Sequence, residues 1–204
     1  MIKKLVLPLE LSILMTEYAE NILKDPSAFI DNKRTKNFNS KINQYDDSIP
    51  GVSDTFINNH NLSMIEWDGK TLETCLYSNL TYISLPPVSI TAKLVTFIEN
   101  EISVRLVTPT GNFLYPIGGY MGWHTNSNSP GIRVYAVYTP IDNGSYFKYV
   151  DTTSTEPTII TDWDTVGWNI RIFDIHSDNG EYLWHCVGAP SAPRISFGYK
   201  FTRI

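Results

Sequence analysis

His124, Asn126, His185, Arg194 and Ser196 combine metal-ligating and anion-binding side chains in a suggestive order. The two histidines stand 61 positions apart, and Arg194 follows the second by nine. Neutral imidazoles are common ligands of divalent metals, and a guanidinium fork matches a carboxylate. Supplied by separate strands, these residues could meet in one barrel mouth as a ligand pair beside an anion-binding cation. His124 and Asn126 are two apart, so on a strand both point to one face. Two histidines and a carboxylate would cover one face of an octahedral metal and leave positions open. Position 126 offers an amide instead, which is close in shape to a carboxylate but neutral and a weaker ligand.

The elements that must position these residues fall in two stretches. Residues 1–100 read as a short strand (Ile2–Leu7), two helices and a long loop, ahead of a strand-rich core over 101–204, all in a single domain 1–204. Leu9, Ile13, Leu14, Tyr18, Ile22 and Leu23 recur at helical spacing over 9–24. Asp25-Pro26 ends that helix, because proline disfavours helical geometry in the residue before it. Pro86-Pro87 followed by Ile90, Leu94, Phe97 and Ile98 predicts a second helix. The 31–61 segment is rich in Asn, Lys, Ser and Asp without periodicity, which predicts a lid or flanking arm.

From Ile102 the chain becomes short apolar runs separated by turn residues. Ile102–Thr108 alternates, and Pro109-Thr-Gly111 predicts a hairpin to Phe113–Tyr115. Further strands are expected at 120–124, 132–138, 145–149, 158–161, 169–175, 183–187 and 194–202. Many short strands of this kind predict a mainly β, jelly-roll architecture with the helices on one sheet.

Bulk composition narrows the function. A chain of 204 residues with net charge −5 and 18% charged residues is globular, and its only basic run is Lys33-Arg34-Thr35-Lys36. Nucleic acid is not indicated as a partner. No apolar run approaches the ~18 residues needed to span a bilayer. Pro8 and Glu10 break the apolar start with no cleavage site after them, so no secretory leader is expected. Two cysteines, Cys75 and Cys186, make no disulfide framework, and a reducing cytoplasm (bacterial, or of a virus-infected host) is the expected setting.

The stretch from Phe113 to Phe201 resembles the Fe(II)- and 2-oxoglutarate-dependent oxygenases, including the prolyl-hydroxylase-like branch and related phage-encoded proteins. Tyr115 precedes His124-Thr-Asn126, which stands against the family's His-X-Asp. Gly131-Ile-Arg133-Val-Tyr135 resembles the next strand, and Gly144-Ser-Tyr-Phe147 the Gly-Gly-X-X-Phe hairpin. Gly167-Trp-Asn-Ile-Arg-Ile-Phe173 resembles the strand before the distal histidine, and His185 with Arg194-Ile-Ser196 matches the His and Arg-X-Ser. The resemblance implies a double-stranded β-helix with iron held by His124, Asn126 and His185. It implies that Arg194 pairs the distal carboxylate of 2-oxoglutarate, with Ser196 and Tyr115 as further contacts. Fe(II), 2-oxoglutarate, O2 and a substrate still to be identified are the implied partners, and hydroxylation of a C–H bond the implied reaction. Halogenation is not expected, because Asn126 fills the space that a halide would need.

Blander readings stand beside these. Asn126 could cap a strand end, since asparagine is a common turn residue, or an acid such as Asp142, Asp151 or Asp174 could swing in as the third ligand. A catalytically inactive jelly-roll binding or structural module, or a metal-binding cupin, would share the fold. His60 and His176 are read as structural, and Arg133 and Arg171 as outward-facing. Trp123, Trp168 and Trp184 are read as core or pocket wall. Cys186, adjacent to His185 on a strand, should pack on the opposite side from it.

Overall fold

The computed structural model describes residues 2–35, 51–64, 66–67, 70–71, 78–176 and 182–204. In chain order the elements are β1 (Lys3–Leu5), α1 (Leu9–Lys24), a short 3-10 turn (Pro26–Phe29), α2 (Asn32–Thr35) and α3 (Asp54–Asn58). Four two-residue strands follow, β2 (Glu66–Trp67), β3 (Lys70–Thr71), β4 (Ser78–Asn79) and β5 (Thr81–Tyr82), then α4 (Val88–Ile102). The remainder is β6 (Val104–Tyr115), β7 (Gly119–His124), β8 (Gly131–Thr139), β9 (Tyr146–Asp151) and β10 (Thr158–Trp163). It closes with β11 (Gly167–Ile175), β12 (His185–Ala189) and β13 (Arg194–Arg203).

Two antiparallel sheets carry the fold, one in the order β1-β11-β8-β13-β6-β5 and the other β10-β9-β12-β7-β4. From β6 onward the chain crosses between them, so residues far apart in sequence face each other across the gap. Tyr115, Phe173 and Ile175 from the first sheet meet Met121, Phe147, Val187 and Ala189 from the second in a core between the sheets.

Each sheet's outer face is also covered. Leu11, Met15, Ala19 and Ile22 of α1, with Leu94 and Ile98 of α4, bury against Val134, Ala136, Ile170, Ile172, Ile195 and Phe197 of the first sheet. The stripe on α1 differs from the expected one: Leu9 and Ile13 face solvent, while Ala19 lies fully buried. A small residue at the contact lets the helix sit close to the sheet, which apolarity alone does not reveal. On the second sheet, Val52 and Ile57 cover Tyr120, Trp123, Trp184 and Cys186. Trp123 Nε1 donates to Ser53 O and Trp184 Nε1 to Leu62 O, so residues 51–64 form an arm on the outside of this sheet. The rest of the expected 31–61 loop, residues 36–50, lies outside the described residues, as does Cys75.

Two strand expectations are corrected. Ile102 ends α4 instead of opening a strand, with Ser103 as a left-handed cap at φ 52°. Pro109 and Gly111 make no hairpin, because β6 runs unbroken from Val104 to Tyr115 along β13. Irregularities in register near Phe197–Tyr199 and Lys200–Phe201 absorb the mismatch. Pro109 is tolerated because β5 pairs only with Phe113 and Leu114, leaving that part of β6 at an edge.

Candidate functional site

A cavity of about 260 Å³ opens between the two sheets, and His124, Asn126, His185, Tyr115, Arg194 and Ser196 all line it. Arg133, Tyr135 and Asn128 join them. The six residues expected from the sequence are thus brought together, each by a distinct structural device.

His124 reaches the cavity through a bulge. In the β7·β12 ladder His185 pairs His124 and Val187 pairs Met121, so β7 uses three residues where β12 uses two. The extra residue turns both Met121 and His124 inward, although strict alternation would have put them on opposite faces. Trp123 is correspondingly sent to the outer core. The two imidazoles then lie with centroids 4.2 Å apart. Phe147 stacks on His185 at 5.3 Å.

Both histidines are oriented from behind. His124 Nδ1 lies 2.7 Å from Gly122 O and His185 Nδ1 lies 2.9 Å from Leu183 O. A carbonyl only accepts, so each Nδ1 carries its proton and the lone pair sits on Nε2, the tautomer a metal ligand needs. Burial, then the neighbouring His124, then Arg133, hold the His185 pKa well below its ordinary 6.5, against the Leu183 carbonyl. His185 is therefore neutral at neutral pH and can ligate without first releasing a proton.

Asn126 lies beyond the end of β7, with a left-handed φ of 57°. Asparagine is one of the few side-chain-bearing residues that adopts this backbone routinely. The expectation that 124 and 126 share a strand face therefore fails, yet the turn brings the amide to the same place. Asn126 Nδ2 is 3.2 Å from His185 Nε2 and 3.3 Å from the Tyr135 hydroxyl. Its main-chain carbonyl also accepts from Ser129 N, closing the turn, so the expected turn role and the placement beside the histidines hold together.

The arginines correct the sequence reading. Arg171 and Arg133 are not outward-facing: Arg171 is fully buried and Arg133 is 3% exposed. Arg194 Nε donates to Asp164 Oδ2 at 3.2 Å, and Arg171 Nη1 donates to Asp164 Oδ1. Ser145 Oγ donates to the same Oδ2. Arg171 Nε bonds Asp162 Oδ2 at 2.8 Å, and Lys4 Nζ reaches Asp162 Oδ1 at 2.6 Å. Charges thus alternate from the surface lysine to the cavity, ending on Arg194. Its Nη2 is buried with no hydrogen-bond partner. Burial works against the Asp164 carboxylate, but Arg194, Arg171 and Ser145 outweigh it and hold its pKa below 3.8.

Tyr115 stands directly opposite Arg194 in the β6·β13 register, and its ring lies 5.3 Å from the guanidinium carbon. Burial drives its hydroxyl pKa far above the ordinary 10, although Arg194 pulls the other way, so it remains a proton donor. Ser196 shares the inner face two residues beyond Arg194.

None of the candidate substitute acids is in the cavity. Asp142 accepts from Val166 N, Asp151 from Thr153 N, and Asp174 pairs with Arg203. Among the described residues, no group of three His, Cys, Asp or Glu could hold a metal ion. His60 bonds Met64 O on the outer arm, and His176 lies exposed after β11 and does not line the cavity. Trp123 and Trp184 belong to the outer core, and Trp168 bonds Thr16 of α1, so none is pocket wall. Cys186 packs in that outer core, on the side opposite His185.

The donor set suits a divalent metal with two neutral nitrogens and one neutral oxygen. Half a turn of the Asn126 amide presents Oδ1 in place of Nδ2. The orphaned Nη2 of Arg194, in a cavity that Tyr115 and Ser196 also line, suits a carboxylate.

No protein-family model matches the chain, and no curated protein matches it. A solved oxidoreductase of the 2OG-Fe(II) oxygenase family from Burkholderia pseudomallei is similar at 13% identity and a TM-score of 0.39. The match covers 62% of this chain and 62% of that one. So slight a likeness carries no argument, and the functional reading stands on the site's own geometry. Among the described residues, no helix is long and apolar enough to cross a membrane.

Proposed function

We propose that the chain is an Fe(II)- and 2-oxoglutarate-dependent dioxygenase of hydroxylase type, built on a double-stranded β-helix of the jelly-roll kind. The crossing of the chain between two sheets from β6 to β13, interrupted only by the β9–β10 hairpin, supports the fold. The observation that carries the function is one cavity holding two histidines with Nε2 lone pairs and an orphaned guanidinium nitrogen on Arg194. A module with no ligand would fill its mouth with side chains instead, because an unsatisfied buried donor is costly.

His124 and His185 would hold the iron, with Asn126 as a weak third ligand. Bound iron with 2-oxoglutarate and O2 supplies the oxidising power for a C–H bond. The chain's own part is orientation. Gly122 O and Leu183 O fix the two imidazoles, Asp164 fixes Arg194 against a dicarboxylate, and Tyr115 and Ser196 offer hydroxyls beside it. The reducing cytoplasm is the proposed compartment, as the two-cysteine composition leads us to expect.

One observation favours a second reading. The Asn126 amide rests on His185 Nε2, and it carries no negative charge to hold a cation. A metal-independent dicarboxylate-binding module is the alternative. Anaerobic titration with Fe(II) and then 2-oxoglutarate separates the two. A saturable visible charge-transfer band, lost in His185→Ala, is expected of the oxygenase. Arg194→Ala should keep the metal and weaken 2-oxoglutarate at least tenfold. Dicarboxylate binding without any band would give the site to the module.

A further inference from the structure

Arg133 and Lys200 are two cations that the proposed chemistry leaves unused. They pair directly across the β8·β13 ladder. In an antiparallel sheet, residues directly opposite project to the same face with Cβ atoms about 5 Å apart, and like charges there repel. That face is the inner one, since the next pair on the same face, Gly198 with Tyr135, brings Tyr135 into the cavity wall. None of the ion pairs among the described residues involves either cation.

Both are tethered instead to a neutral residue. Arg133 Nη2 donates to Ser129 O and Lys200 Nζ to Ser129 Oγ at 3.3 Å. Arg133 Nη1 is buried without any hydrogen-bond partner. A buried guanidinium with an unpaired Nη1 and no acidic partner among the described residues is costly. It is rational where an anion is meant to arrive.

Position says which anion. Arg194 and Lys200 are six residues apart on β13, about 20 Å at strand rise. Arg194 is 1% exposed and Asp164 fully buried, so that end is the closed floor. Asn128 is exposed while lining the same cavity as Arg133, so the cavity opens to solvent there; Lys200 lies outside this lining and is held to Arg133 through Ser129. His185 lines the same cavity and is within electrostatic reach of Arg133. A dicarboxylate reaching from Arg194 to the histidines does not use the cations at the mouth.

We propose that Arg133 and Lys200 form a second anion site, which takes a carboxylate or phosphate group carried by the primary substrate. The substrate class is thus an anionic compound, held by its charge at the mouth with its reacting carbon toward the histidines. This placement of a reacting carbon rests on the oxygenase reading, whereas the anion site itself does not.

The test is calorimetric titration of inorganic phosphate and, separately, of N-acetylglycine into the full chain held in saturating 2-oxoglutarate, which occupies Arg194. A parallel series uses Arg194→Gln without 2-oxoglutarate, so the outcome does not depend on iron. Saturable binding is expected, weakened at least tenfold in Arg133→Gln, a few-fold in Lys200→Gln, and partly restored in Arg133→Lys. Tighter phosphate supports a phosphorylated substrate, and tighter N-acetylglycine a carboxylate. No saturable binding to the parent chain, or parental affinity in Arg133→Gln, overturns the site. If Arg133→Gln does not fold, unchanged affinity in the half-buried Lys200→Gln overturns it instead. Loss of the iron band with this anion binding intact would remove only the oxygenase reading.

Discussion

At the scale of single residues, the site is decided by charge. Asn126 places a neutral amide next to two imidazoles, of which His185 is held neutral, and in the proposed iron site it would be a ligand without negative charge. Attraction between a divalent cation and a carboxylate at contact distance is among the strongest interactions such a site can offer. Asn126→Asp should therefore tighten Fe(II) at least tenfold, as measured by anaerobic titration. Unchanged affinity would mean that the side chain at 126 does not reach the metal. Arg133 belongs to the same scale. Its orphaned Nη1 means that Arg133→Met should raise stability by about 1 kcal/mol or more, because an uncompensated buried charge is replaced by apolar packing. A shift of the urea midpoint to higher denaturant checks it; a lower midpoint would show that Arg133 is already satisfied.

At the scale of elements, the paired acid after β10 joins three strands. Asp164 ties Arg171 of β11 and Arg194 of β13 and is held by Ser145, the residue before β9. Removing one partner of such a buried network leaves the others unpaired, so Asp164→Asn should cost about 3–5 kcal/mol at pH 7. The pH dependence has a definite sign. The folded-state pKa of Asp164 is depressed below the ordinary 3.8. The carboxylate's contribution is therefore fully present above about pH 4 and is lost as the pH falls through the lower, folded value. The stability gap between parent and Asp164→Asn should stay constant from about pH 7 to 5 and narrow below about 4. Urea denaturation over that range measures it, and a gap that widens in acid would contradict the assignment. The bulge in β7 acts at this scale too, since it lets Met121 and His124 face one way.

At the scale of the whole molecule, stability and chemistry are drawn from different layers. The α1–α4 layer buries Met15, Ile22, Leu94 and Ile98 on the far side of the first sheet, away from the cavity. Ile98→Ala should cost about 2–5 kcal/mol through lost contact and a residual void. Dicarboxylate affinity, read by calorimetry, should stay within a factor of two. A large loss of affinity would mean that the helices set the inner face of the sheet as well as its support.

Much of this was legible in the chain itself. Local pattern suffices where one element buries one face: α1 runs over the expected 9–24, and α4 begins immediately after Pro86-Pro87. The order of His124, Asn126, His185 and Arg194, read with the family resemblance, named residues that line the cavity, because side-chain chemistry is a property of type. Strand faces were not legible. In β8 and β11 both faces are buried, so alternation vanishes, and Arg133 and Arg171 gave no sign of pointing inward. The β7 bulge, the left-handed turn at Asn126 and the Asp164 network depend on which strands lie side by side. That is set by pairing across as many as 169 positions, as between Lys3 and Ile172, a separation no local periodicity records. Which groups are present, and in what order, follows from the chain read end to end. Which way they face, which charges find partners, and that Arg133 is buried without an acidic partner among the described residues emerge only when distant strands pair.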